Sequence, residues 1–93
     1  MQDDEPIRVP IEDAIDLHSF APPDVLGVVE AYLEAACDAG FAEVRLIHGR
    51  GKGVQRAAIR RLLREHPLVD LCWDAPESHL GATIVRLRRR PDA

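Results

Sequence analysis

The stretch EVRLIHGRGKG, residues 43–53, decides how this chain is read. Glu43 to His48 carries a strand pattern and runs directly into Gly49, Gly51 and Gly53. A helix is predicted next, from about Val54 to Glu65. Alternate glycines permit positive φ and close approach of a ligand to the backbone. The helix start presents unpaired N–H groups and the positive end of its dipole, which suits a phosphate. Arg50 and Lys52 add charge at the same place. Gly49, Arg50, Gly51, Lys52 and Gly53 therefore form a candidate phosphate cradle. The spacing is neither GxxxxGK[ST] nor a GxGxxG fingerprint. The competing reading is an ordinary strand–helix turn.

Working toward the C-terminus, the predicted helix places Ala57, Ala58, Ile59 and Leu62 inward. Arg56, Arg60 and Arg64, with Arg61 beside them, make its polar face. The residues four before Arg56, Arg60 and Arg64 are Lys52, Arg56 and Arg60, all basic; only Arg61 has an acid at helical spacing, Glu65. Like charges so placed cost a little helix stability, a cost better explained if the face meets a polyanion than if it is simply solvated. Pro67 ends the helix. Strands are expected at 68–73 and 82–87, joined by a loop at 75–81. Toward the N-terminus, Ala21-Pro22-Pro23-Asp24 opens a helix whose apolar stripe is Val25, Val29, Tyr32, Leu33 and Ala36, with Gly40 just past its end. Residues 14–18 alternate as a short strand with Ile15 and Leu17 facing the core.

The order is β-α-β-α-β-β. Each βαβ crossover implies parallel pairing, and the last two strands should be antiparallel. The expected fold is an α/β two-layer sandwich, a four-stranded mixed sheet with both helices on one face. Residues 14–88 form the domain, 1–13 an acidic extended lead-in and 89–93 a basic end.

Ligands in open α/β sheets collect beyond the carboxyl ends of the parallel strands. Asp16, His18 and His48 all fall there. Asp16 and His18, two apart on a strand, would share a face about 6–7 Å apart along it. A carboxylate beside an imidazole sets its tautomer, although such a pair can also merely tie down a loop. His48, adjoining the cradle, is the preferred acid–base group. Thr83 is grouped with the phosphate-binding residues. Arg45, Arg86 and Arg88, with Asp16, Asp70 and Asp74, are expected on a charged open face of the sheet.

The chain has 93 residues and a net charge of −4, which hides a split. Residues 1–49 carry eleven acids and two bases; residues 50–93 carry five acids and ten bases. The basic half suggests a polyanion partner. A 46% hydrophobic content excludes disorder, and no apolar run reaches the roughly 20 residues of a membrane span. No signal peptide precedes the domain, so a cytoplasmic location and buried, reduced Cys37 and Cys72 are expected. Four aromatic residues are too few for a base-stacking platform.

The segments IDLHSF (15–20), AGFAEVRLIHGRGKG (39–53), HPLV (66–69) and GATIVRL (81–87) resemble the small MutS-related, or Smr, domain. The resemblance covers residues 14–88. It implies the β-α-β-α-β-β fold, like the C-terminal domain of a bacterial translation initiation factor. It also implies nucleic-acid binding, with nicking endonuclease activity on DNA in some members and on RNA in others. Its DLH motif falls on Asp16, Leu17 and His18; its HGxGxG motif falls on His48, Gly49, Gly51 and Gly53. The family commonly has Gly after DLH; here Ser19 stands there, which would be strained if that position needs positive φ.

The expected activity is phosphodiester cleavage in DNA or RNA with limited sequence specificity. His48 would be the acid or base, with Asp16 and His18 assisting. Arg50 and Lys52 would stabilise the phosphorane charge. Arg56, Arg60, Arg61 and Arg64 would hold backbone phosphates. A divalent metal such as magnesium could join Asp16, but one carboxylate is a poor site for it. The alternatives are a non-catalytic nucleic-acid-binding module and a protein-interaction domain. A monomer is expected, with a MutS-like or repair partner and no membrane association.

Overall fold

The computed structural model describes residues 11–49, 53–76 and 81–88. The elements are β1 (Ala14–Asp16), a 3-10 turn at Leu17–Ser19, a second at Pro22–Asp24, α1 (Val25–Asp38), β2 (Glu43–Ile47), α2 (Gly53–Glu65), β3 (Val69–Asp74) and β4 (Ala82–Leu87). They form the expected two-layer fold with a four-stranded mixed sheet.

The strand order is β1-β2-β4-β3. β1 and β2 pair in parallel, and β4 pairs antiparallel with both β2 and β3. The second crossover therefore does not make neighbours of β2 and β3, as the expected parallel pairing had it: β4 lies between them. The carboxyl ends of β1, β2 and β3 still lie along one edge, beside the start of β4. Asp16, His18 and His48 fall at that edge.

The core is built by period. Val25, Val29, Tyr32, Leu33 and Ala36, the stripe expected of α1, are all buried. Val44 and Leu46 of β2 face them, in register with Val85 and Thr83 of β4. Gly40 closes α1 at φ 90°: its N–H donates to Cys37 and that of Phe41 to Ala36. These two hydrogen bonds satisfy two helix-end carbonyls, and glycine takes the left-handed conformation without a Cβ penalty. The Tyr32 hydroxyl donates to the Glu12 carbonyl, and burial pushes its pKa up to about 12.

Two inward faces differ from expectation. In α2 the buried residues are Ile59 and Leu63, while Ala57 is exposed. Arg56 and Arg60 share the sheet-facing stripe with them, because positions 56, 59, 60 and 63 follow helical spacing. In β3 the register slips between Val69 and Leu71, where two steps on β3 match one on β4. This bulge at Asp70 reverses the alternation downstream. Val69 faces the core, Leu71 is 53% exposed on the open face, and Cys72 and Asp74 turn back toward the helices. Asp74 is therefore not on the open face. Arg45 and Arg86 belong to that face, and Arg86 stacks 5.6 Å above the Trp73 ring. Cys37 and Cys72 are free but only half-buried, not fully buried as expected. No helix among the described residues is long and apolar enough to cross a membrane.

Candidate active site at the carboxyl ends of the strands

Asp16 is the last residue of β1, and the chain turns sharply after it. The predicted strand through His18 stops at Asp16 because Leu17–Ser19 form a 3-10 turn. Asp16 caps that turn: its Oδ1 accepts the His18 backbone N–H at 2.9 Å and the His18 Nδ1–H at 2.8 Å. The two side chains are thus bonded directly instead of standing apart on one strand face. The bonds from His18 hold the Asp16 carboxyl below its ordinary pKa. Ser19 closes a right-handed turn, a conformation open to any L-residue, so no glycine is needed there.

The carboxylate accepts the Nδ1–H bond, the tautomer that puts the lone pair of an uncharged imidazole on Nε2. That nitrogen lies against Gly49, the residue after β2 and His48. Gly49 has φ 82°. A Cβ built there would collide with His18 Nε2 and sit 2.9 Å from Cε1. Glycine is thus required twice at this position, by its backbone and by the imidazole lying on it. The His48 and Gly49 N–H groups both donate to the Gly81 carbonyl, at 3.0 and 2.9 Å, which anchors the loop to the start of β4.

The two histidines stand in opposite environments. The His18 side chain is 61% exposed; His48 is 6% exposed. His48 Nδ1–H donates to the Gly49 carbonyl at 2.9 Å, and the fully buried Thr83 hydroxyl donates to Nε2 at 2.9 Å. Both ring nitrogens of His48 are engaged, and Thr83 presents no surface to a ligand.

Asp74 reaches the same edge from β3, opposite Thr83 in register. Its Oδ2 accepts from Arg56 Nη2 at 2.6 Å and its Oδ1 from Arg60 Nη1 at 3.0 Å. These bonds, that of Arg56 above all, hold the Asp74 carboxyl below its ordinary pKa. The arginine run has no acid among its local i−4 neighbours, yet the sheet supplies one. Sequence periodicity missed Asp74 because the bulge that turns it inward leaves no mark in the alternation. Arg61 and Arg64 remain exposed and make no ion pair among the described residues. Gly53 begins α2, whereas Arg50, Gly51 and Lys52 lie outside the described residues.

The donor set fits a divalent cation poorly. Asp16 brings one carboxylate, and its Oδ1 already accepts two N–H bonds. Among the described residues no three His, Cys, Asp or Glu side chains converge.

The fold and the residues at its edge define a small two-layer α/β domain with an Asp–His pair set against Gly49. Residues 15–88 match the Smr domain family, and the chain belongs to it. It is 40% identical over 80 residues to Endonuclease MutS2 of Caldicellulosiruptor saccharolyticus, and 40% over 76 residues to that of Thermus thermophilus. These alignments cover 84% and 80% of the chain but 10% of each relative, so the chain spans about a tenth of their length. The crystal structure of the Smr domain of Thermus thermophilus MutS2 superposes with a TM-score of 0.78 at 37% identity, covering 83% of this chain and 99% of that one. YdaL, a stand-alone small MutS-related protein from Escherichia coli, superposes at 0.76 and 25% identity, covering 86% and 67%.

Proposed function

We propose that this Smr domain binds nucleic acid at the carboxyl ends of its strands and cleaves phosphodiester bonds there, with His18 as the proton acceptor. One observation carries the reading: an exposed imidazole whose Nδ1–H is fixed by Asp16 and whose Nε2, without a hydrogen-bond partner among the described residues, lies against Gly49. A carboxylate that fixes the tautomer and steadies the imidazolium is the arrangement general-base catalysis needs. The similarity to the Smr domains of proteins named endonucleases supports the same reading.

The attacking hydroxyl, from water or from a ribose, gives its proton to Nε2 as its oxygen bonds to phosphorus. The opposite ester bond breaks, and the leaving oxygen is protonated by the imidazolium or by solvent. Arg50 and Lys52 follow Gly49 in the chain and would supply positive charge to the phosphorane. His48, engaged at both nitrogens, would hold the loop in shape for His18 and not transfer protons itself. Arg61 and Arg64 would contact backbone phosphates without reading sequence.

A nicking assay on supercoiled DNA and on structured RNA tests this. The wild type should cleave at least one. His18→Ala should lose cleavage by about 10²–10⁴-fold, the usual worth of an acid–base group, with its melting temperature kept. His48→Ala should lose thermal stability as well. Binding without cleavage by the wild type would replace the enzyme with a non-catalytic binding module.

A further inference from the structure

Asp74 and the two arginines it holds form a group that the proposed chemistry does not use. One carboxylate is gripped by two guanidinium groups, so the group carries one uncompensated positive charge. Both arginine Nε–H donors are buried and lack a partner among the described residues. The three side chains are 31%, 26% and 31% exposed for Arg56, Arg60 and Asp74, so the group opens to solvent. It lies beside the candidate site, since Asp74 pairs with Thr83 and Thr83 holds His48.

Two guanidinium groups one helical turn apart, converging on a planar anion, are the geometry with which arginines hold a phosphate. A phosphodiester offers the same charge as a carboxylate and, likewise, two free oxygens. We infer that Arg56 and Arg60 form a phosphate-binding fork that Asp74 occupies, so that Asp74 competes with backbone phosphates and sets the affinity of this face for nucleic acid. A tethered carboxylate has a high local concentration. A single phosphate displaces it poorly; a strand held elsewhere by further phosphates displaces it readily. The device thus favours extended backbones over free nucleotides. The inference rests on the proposal that nucleic acid binds at this edge.

The opposing account makes Asp74 a staple between α2 and β3 and nothing more. Binding of labelled duplex DNA and of a labelled RNA hairpin, followed by anisotropy between about 50 and 200 mM salt, separates the two. D74N should bind about tenfold tighter, and its plot of log affinity against log salt should steepen by about one to two units. Adding R56Q and R60Q to D74N should abolish the gain. A D74N protein that melts lower and binds no tighter overturns the inference. Should D74N not fold, R56Q/R60Q and R61Q/R64Q in the wild-type background decide. The inference requires both pairs to flatten the salt slope, because a strand that displaces Asp74 meets the fork, and a slope unchanged in R56Q/R60Q overturns it. Tight wild-type binding unaltered in D74N sinks this inference alone; no salt-dependent binding by either protein sinks the nucleic-acid reading with it.

Discussion

At the scale of single residues, the site depends on which histidine is buried. His18 and His48 both follow the ends of two paired parallel strands, yet one is open and the other is sealed. Thr83 makes the difference, because its hydroxyl fills the Nε2 side of His48. Thr83→Val keeps the shape and removes that donor, leaving a buried nitrogen unpaired. It should cost about 1–3 kcal/mol, measured by denaturant unfolding. Gly49 carries the second constraint. Gly49→Ala adds a Cβ both to a left-handed backbone and to the space His18 fills. The substitution should cost about 1–3 kcal/mol and abolish cleavage even where the fold survives, as circular dichroism would report. The sequence marks Asp16, His18, His48 and Gly49 by residue type and motif. It does not say that Asp16 and His18 bond directly, because that follows from a 3-10 turn in place of a longer strand.

At the scale of elements, the two helices were not equally legible. The stripe of α1 is apolar throughout, so period alone identifies its buried face. The sheet-facing stripe of α2 mixes Ile59 and Leu63 with Arg56 and Arg60, and a polarity pattern then points to the wrong side. Those arginines turn inward because Asp74 receives them, and Asp74 turns inward because β3 bulges at Asp70. α1 allows a direct check. Gly27 lies in its interior, and a Cβ there would meet nothing within 4 Å. Gly27→Ala should stabilise the domain by about 0.5–1 kcal/mol, read as a shift of the urea midpoint with an unchanged slope.

At the scale of the whole molecule, charge position matters more than the net value of −4. Asp16 and Asp74, both on the site edge, have folded-state pKa values below the ordinary 3.8. The folded chain therefore binds fewer protons there than the unfolded one. Their stabilisation is complete above the unfolded value and is lost as pH falls through the lowered folded values. The melting temperature should fall below about pH 4, and the fall should be shallower in Asp74→Asn. An identical acid limb in that variant would remove Asp74 from the account. The sequence by itself determined the element order, the two-layer class, the buried face of α1, the turn at Gly40 and the gathering of Asp16, His18 and His48 at one sheet edge. These follow from local periodicity, turn residues and the rule that parallel strands end together. Only the tertiary structure decided that β4 separates β2 from β3, that His48 is sealed while His18 is open, and that Asp74 meets Arg56 and Arg60. Each depends on contacts between residues distant in the chain, where strand pairing and a one-residue bulge outweigh the local pattern.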